Sequence, residues 1–185
     1  ILSLTKQATT ENRAGMHLSL WSGTSADQQI DGINDSEVGL YAASASYLAP
    51  IGDGVEFSVG KLVSPLGAEA LQTNLNYNIS AGILLQMTPI VNTGIQAAVP
   101  LGDELTFLVG VVNDVYSDTT VDDSRDKAYY AQLAYEGDAF GLKVGAIVGK
   151  NSNEDFQADD ATGGGTCQGG DECKTSIFNT IVTAQ

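Results

Sequence analysis

Basic residues are scarce in this 185-residue chain: 8 lysines and arginines stand against 23 aspartates and glutamates, for a formal net charge of −15. A surface of that sign repels phosphate, which excludes nucleic acid or an anionic lipid surface as a partner for the bulk of the chain and leaves cations as the attracted species. Histidine is rarer still. His17 is the only one, with neither a carboxylate nor a cysteine beside it in sequence, so histidine-based acid–base or nucleophilic chemistry has little to work with. Long apolar runs are also missing: stretches such as 83–85 and 108–112 fall far short of the ~20 residues a transmembrane helix needs, which excludes helical membrane spans. No phosphate-binding loop, nucleophile elbow or dinucleotide fingerprint occurs, so no catalytic residue is assigned and no enzyme is expected.

The two cysteines, Cys167 and Cys173, share the segment Cys-Gln-Gly-Gly-Asp-Glu-Cys. Its glycines give the flexibility to close a small disulfide loop, which would fit an oxidising, extracytoplasmic location. Free thiols and a metal site are the alternatives. The segment has no histidine nearby and its spacing is not a zinc-type pair, so no metal is assigned. The chain opens at Ile1 in the middle of a strand-like pattern, with no initiator Met, basic segment or small-residue cleavage site, and residues 174–185 read as a strand with no closing turn. Both ends read as those of a mature or truncated piece.

What the sequence does have is β character. Glycine reaches 21 residues against 4 prolines, and single Ala, Val, Leu and Ile residues alternate with Ser, Thr, Asn and Gly. Strand patterns cover 14–22, 36–48, 55–62, 90–99, 105–113, 127–135, 140–149 and 175–184, about eight in all. Their connections alternate in length: tight turns at 49–54, 100–104 and 136–139, and long polar loops at about 23–35, 63–89, 114–126 and 150–174. Short turns at one end and long loops at the other predict an all-β fold, an antiparallel up-and-down transmembrane β-barrel forming a single domain over 1–185. Eight strands enclose an interior that side chains just fill, so a conducting channel requires this chain to be part of a larger barrel.

Side-chain parity agrees with a wall that has lipid on one side and water on the other. Leu105, Phe107, Val109 and Val111 share one face, as do Phe140, Leu142, Val144, Ala146 and Val148, which leaves Lys143 facing inward. Val55, Phe57 and Val59 oppose Glu56, Ser58 and Gly60; Thr93, Ile95, Ala97 and Val99 oppose Asn92, Gly94, Gln96 and Ala98. An ordinary half-buried antiparallel sheet would show the same alternation, and it is the loop rhythm that favours the barrel. Tyr129 and Tyr135 lie near opposite ends of an apolar face, as an interfacial girdle requires, and Trp21 at a strand end reads as an interfacial anchor.

The acids concentrate in the long loops, among them Asp118, Asp122, Asp123, Asp126, Glu154, Asp155, Asp159 and Asp160. Gathered at one mouth, they would raise the local cation concentration over a screening length of ~10 Å and give a weak cation preference. Taken singly, each reads equally as an acid that solvates an exposed loop. Calcium is the one cofactor candidate, through these hard oxygen ligands, although neither acidic segment follows an ordered calcium-loop motif. Candidates for pore lining or constriction are Glu56, Gln96 and Lys143 by parity, Lys61 at a strand end, and Glu69 in the second long loop; their rival reading is ordinary interfacial charge.

Several words of the sequence resemble a known family. Val-Gly-Lys-Leu-Val-Ser-Pro-Leu-Gly-Ala-Glu at 59–69, Asn-Tyr-Asn-Ile-Ser at 76–80, Pro89 followed by Asn-Thr-Gly-Ile at 92–95, Leu-Gly-Asp-Glu-Leu-Thr at 101–106 and Val-Gly-Val-Val-Asn at 109–113 are similar to segments of the OmpL-like β-barrel porins of Gram-negative outer membranes. Leu62, Leu66 and Ala68 stand where that family commonly has aromatics. The resemblance implies a water-filled outer-membrane barrel passing ions or small hydrophilic solutes by diffusion, with lipid as its surroundings and a homo-oligomer as one open assembly. It also implies that the 63–89 connection, too long for a simple link, folds toward the lumen. A different class remains as the alternative: a non-conducting structural or adhesive envelope barrel whose acidic surface loops bind calcium.

Overall fold

Alternating small polar and apolar residues, punctuated by Gly- and Asp-rich turns, fold into one sheet of nine strands in a computed structural model that describes residues 1–23, 38–67, 88–113, 115, 127–151 and 173–184. The strands are β1 (Leu2–Lys6), β2 (Ala14–Ser22), β3 (Val38–Ala49), β4 (Val55–Val63), β5 (Val91–Pro100), β6 (Leu105–Val112), β7 (Ala128–Glu136), β8 (Phe140–Asn151) and β9 (Cys173–Ala184). Each pairs antiparallel with the next, so order in space equals order in sequence. All eight expected strands are present. The ninth, β1, precedes them; its Leu-Ser-Leu-Thr-Lys alternation is too short to stand out without its partner. Among the described residues there is no helix, and so none long and apolar enough to cross a membrane.

The register sorts the side chains into two faces. Met16, Leu18, Tyr47, Phe57, Val59, Ile95, Phe107, Val109, Val111, Tyr129, Leu133, Phe140, Val144, Val148 and Phe178 are exposed. Paired positions put them on one face: Tyr47 lies opposite Phe57, Ile95 opposite both Val59 and Val111, and Tyr129 opposite both Val111 and Val148. An apolar surface of this extent, continuous over strands and exposed to the surroundings, marks a face that meets something other than water. Tyr47, Phe57, Phe107 and Phe140 sit toward its short-turn edge and Tyr129 toward its long-loop edge.

The opposite face is covered. Its core is Leu66, Val112, Val115, Ala128, Tyr130 and Ile147, against which Leu108 and Ile177 pack. Ile147 and Ala128 are fully buried. Trp21 belongs to this face as well: it is buried and meets Tyr41 edge-on, with ring centroids 5.5 Å apart. The expected role of Trp21 as an interfacial anchor is therefore corrected. A register shift between Ser19 and Leu20 opens the strand pair locally, and the two aromatic rings pack at that irregularity.

Candidate functional site

The covered face carries the chemistry, and the strand register lays it out in rows. One row runs Thr5, His17, Ser44; the next runs Gly15, Ser46, Ser58, Gln96, Gly110, Tyr130 and Ile147. On β1–β5 these rows form a neutral polar wall. Ser3 and Ser19 hydroxyls lie 2.7 Å apart, and Thr5 Oγ1 is 2.9 Å from His17 Nδ1, so β1 and β2 are cross-linked by side chains as well as by backbone.

Tyr130 joins the two halves of this face. Its hydroxyl donates to Gln96 Oε1 at 2.7 Å, two strands away, and its ring crosses the intervening Gly110. Only glycine fits beneath it: a Cβ at position 110 would lie 2.5 Å from the ring carbon Cε1. The bond leaves the Gln96 amide nitrogen with both of its hydrogens for other acceptors.

On β6–β9 the same face is closed over. After β4 the chain turns at 64–67 and crosses to β7, where Gln132 Nε2 donates to the Pro65 carbonyl at 2.6 Å. Leu66 then packs into the core cluster above Gly145, where an added Cβ would stand 2.9 Å from Leu66 Cδ2. A main-chain segment from the start of the second long connection thus lies against the wall three strands from its own. Asn92 reinforces the region by donating to the Val115 carbonyl at 3.0 Å.

The candidate lining residues take separate places. Glu56 and Gln96 share the polar face, in register with Ala98 and Ser58 respectively. Lys143 is on that face too, in register with Ala134, and its ammonium lies 3.3 Å from Glu136 Oε1, so the base is neutralised beside the short-turn end. Lys61 needs correction as a lining residue. It pairs with Ala43 and Thr93, which have the parity of the apolar face, and its buried ammonium donates to the Leu40 carbonyl at 3.0 Å. Glu69, all eight of the acidic-mouth residues and Cys167 lie outside the described residues; Cys173 opens β9 opposite Asn151.

Charge on the described part of the polar face gathers toward the short turns. Glu56, Glu136 and Lys143 lie there, with Asp53, Asp103, Glu104 and Asp138 in or beside the turns themselves, while the middle rows are neutral. Among the described residues no group of three or more His, Cys, Asp or Glu side chains could hold a metal ion. Sequence reasoning passed over Tyr130, Gln132 and Ser19. The first two have the parity opposite Tyr129 and Leu133, so their face was legible; their partners were not, because Gly110, Gln96 and Pro65 come from other strands.

An exposed apolar face, a polar face crossed by its own chain, and strictly sequential antiparallel strands together describe a pore wall. Residues 2–184 match the protein family described as "Putative beta-barrel porin-2, OmpL-like". The chain belongs to that family of β-barrel porins. Comparison with curated proteins and with solved structures finds no match. In a β-barrel porin the apolar face meets lipid and the opposite face lines the lumen. Tyr130, Gln96 and the 64–67 crossing are all on the face opposite the exposed apolar one.

Proposed function

We propose that this porin is an outer-membrane diffusion channel for ions and small hydrophilic solutes, with a weak preference for cations. The observation that carries the reading is the asymmetry of the sheet: a broad exposed apolar face on one side and, on the other, hydroxyl, amide and imidazole groups in contiguous rows. Such a wall lets hydrated solutes exchange hydrogen bonds without a deep binding site. Cation preference follows from the excess of acids, which faces the passage through Glu56 and the short-turn carboxylates at one end and through the acidic long loops at the other. The 167–173 pair closes as a disulfide in the oxidising space outside the cytoplasm, which intact-mass measurement with and without reductant tests directly.

The testing experiment is single-channel recording of the purified, refolded full-length protein in a planar bilayer, with reversal potential measured across a salt gradient. Discrete current steps with a cation-selective reversal potential are expected. Correctly folded, membrane-inserted protein that gives no steps would sink the channel reading and favour a structural envelope barrel with calcium-binding loops, a reading that needs the apolar packing around Leu66 to extend across the whole lumen.

A further inference from the structure

Hydroxyl and amide groups without protein partners gather in one register row. Ser46 pairs with Ser58 and Ser58 with Gln96, so the three side chains stand side by side on the polar face of β3, β4 and β5, about 4.8 Å apart from strand to strand. Ser44 adds a fourth group one row toward the long loops, in register with His17. None of the three serine hydroxyls has a hydrogen-bond partner among the described residues. Ser58 is only 9% exposed, a depth at which a polar group is normally hydrogen-bonded.

Two glycines make room along the row. Ser46 Oγ lies over Gly15 and the Tyr130 ring over Gly110, and an added Cβ at either position would collide with the group above it. The Tyr130 hydroxyl, 2.7 Å from Gln96 Oε1, fixes the amide and leaves its Nε2 with two hydrogens to donate. The row itself carries no charge. Glu56 stands one row nearer the short turns, in register with Ala98.

We infer that Ser46, Ser58 and Gln96, with Ser44 beside them, form a shallow binding site for neutral polyhydroxylated solutes, the sugars and polyols, and that Tyr130 is the positioning residue that holds the Gln96 amide for them. The inference rests on the diffusion-channel reading and names the solute class that this part of the wall retains during passage. Each serine hydroxyl donates one hydrogen bond and accepts two, and Gln96 Nε2 donates two. A solute that meets all of them must both donate and accept at several closely spaced atoms. A sugar does so through every hydroxyl. A carboxylate only accepts and an ammonium only donates, and either would exchange its hydration for a row with no opposite charge. The groups lie on a wall rather than in a closed cavity, so a sugar is held by a few neutral hydrogen bonds and released again.

The test is single-channel recording of the refolded full-length protein in a planar bilayer, with sucrose added and, in parallel, polyethylene glycol of matched hydrodynamic size. The glycol accepts through its ether oxygens but donates only at its ends, so it controls for simple obstruction. Expected is a concentration-dependent current block by sucrose that exceeds the block by the glycol. Ser58→Ala and Gln96→Leu should each raise the half-blocking sucrose concentration about 2- to 10-fold, the range of one lost neutral hydrogen bond. Tyr130→Phe, which keeps the ring over Gly110, should raise it about 2-fold with open-channel conductance unchanged, an effect that lost packing alone would not produce. Channel steps with no more block by sucrose than by the glycol, or sucrose block unaltered in both Ser58→Ala and Gln96→Leu, would overturn the inference and leave the porin reading standing. Folded, inserted protein that gives no steps overturns both.

Discussion

The lumen wall has two unlike halves. On β1–β5 it is hydroxylated and, apart from Glu56, uncharged, with side chains such as Ser44, Ser46 and Gln96 half-buried; on β6–β9 it is apolar, packed and crossed by the chain at Pro65 and Leu66. The same backbone plan supports both, so the difference comes from what lies over each half. The crossing segment removes water from β7 and β8, and only apolar or fully hydrogen-bonded groups tolerate that removal. Gln132 fits this rule because its amide reaches the Pro65 carbonyl, and Tyr130 because its hydroxyl reaches Gln96. The open half faces no such demand, and Ser44 and Ser46 stay half-exposed there.

The contrast is broken most strongly in the packed half. Ile147→Ala removes a fully buried side chain and is expected to cost about 2–5 kcal/mol in denaturant unfolding from lipid or detergent, whereas Ser46→Ala on the open half should stay within about 0.5 kcal/mol. Equal losses at the two sites would show that the halves are packed alike. Next in size is Gly110→Val, which intrudes on the ring of Tyr130: a loss of about 1–3 kcal/mol is expected from overpacking, with Tyr130→Phe costing about 1 kcal/mol through the lost hydrogen bond alone. A Gly110→Val variant as stable as the parent would mean that Tyr130 does not lie over position 110.

The crossing can be probed by its function. Gln132→Ala combined with Leu66→Ala releases the tether at Pro65 and the packing above Gly145, and single-channel conductance should rise; an unchanged conductance would place the narrowest point elsewhere. The smallest effects are electrostatic. Glu56→Gln removes an inward carboxylate and should lower the cation preference slightly in reversal-potential measurements, while Glu136→Gln leaves Lys143 without its counter-charge and should lower it more. Both shifts should shrink as salt is raised, since screening reaches ~10 Å at about 0.1 M.

Much of this was readable from the chain as text. Period-two alternation located eight strands because each strand separates lipid from water, and that separation is written residue by residue. The alternation of tight turns and long loops gave the up-and-down order, since sequential antiparallel pairing follows directly from short connections. Parity put Glu56, Gln96 and Lys143 on the polar face, and their register agrees. The strand-end readings failed at Lys61 and Trp21. Lys61 is held by the carbonyl of Leu40, on a neighbouring strand, and Trp21 by the ring of Tyr41 beside a register shift; no local pattern encodes either. The sequence by itself determined which segments are strands, which face of each is apolar and the overall sign of the charge, because these depend on nearest neighbours and composition. Only the tertiary structure decided that Tyr130 lies over Gly110 to reach Gln96, that the chain at 64–67 crosses to Gln132, and that β1 and β9 run the same way, because each is a relation between residues that strand register and strand count bring together across the sheet.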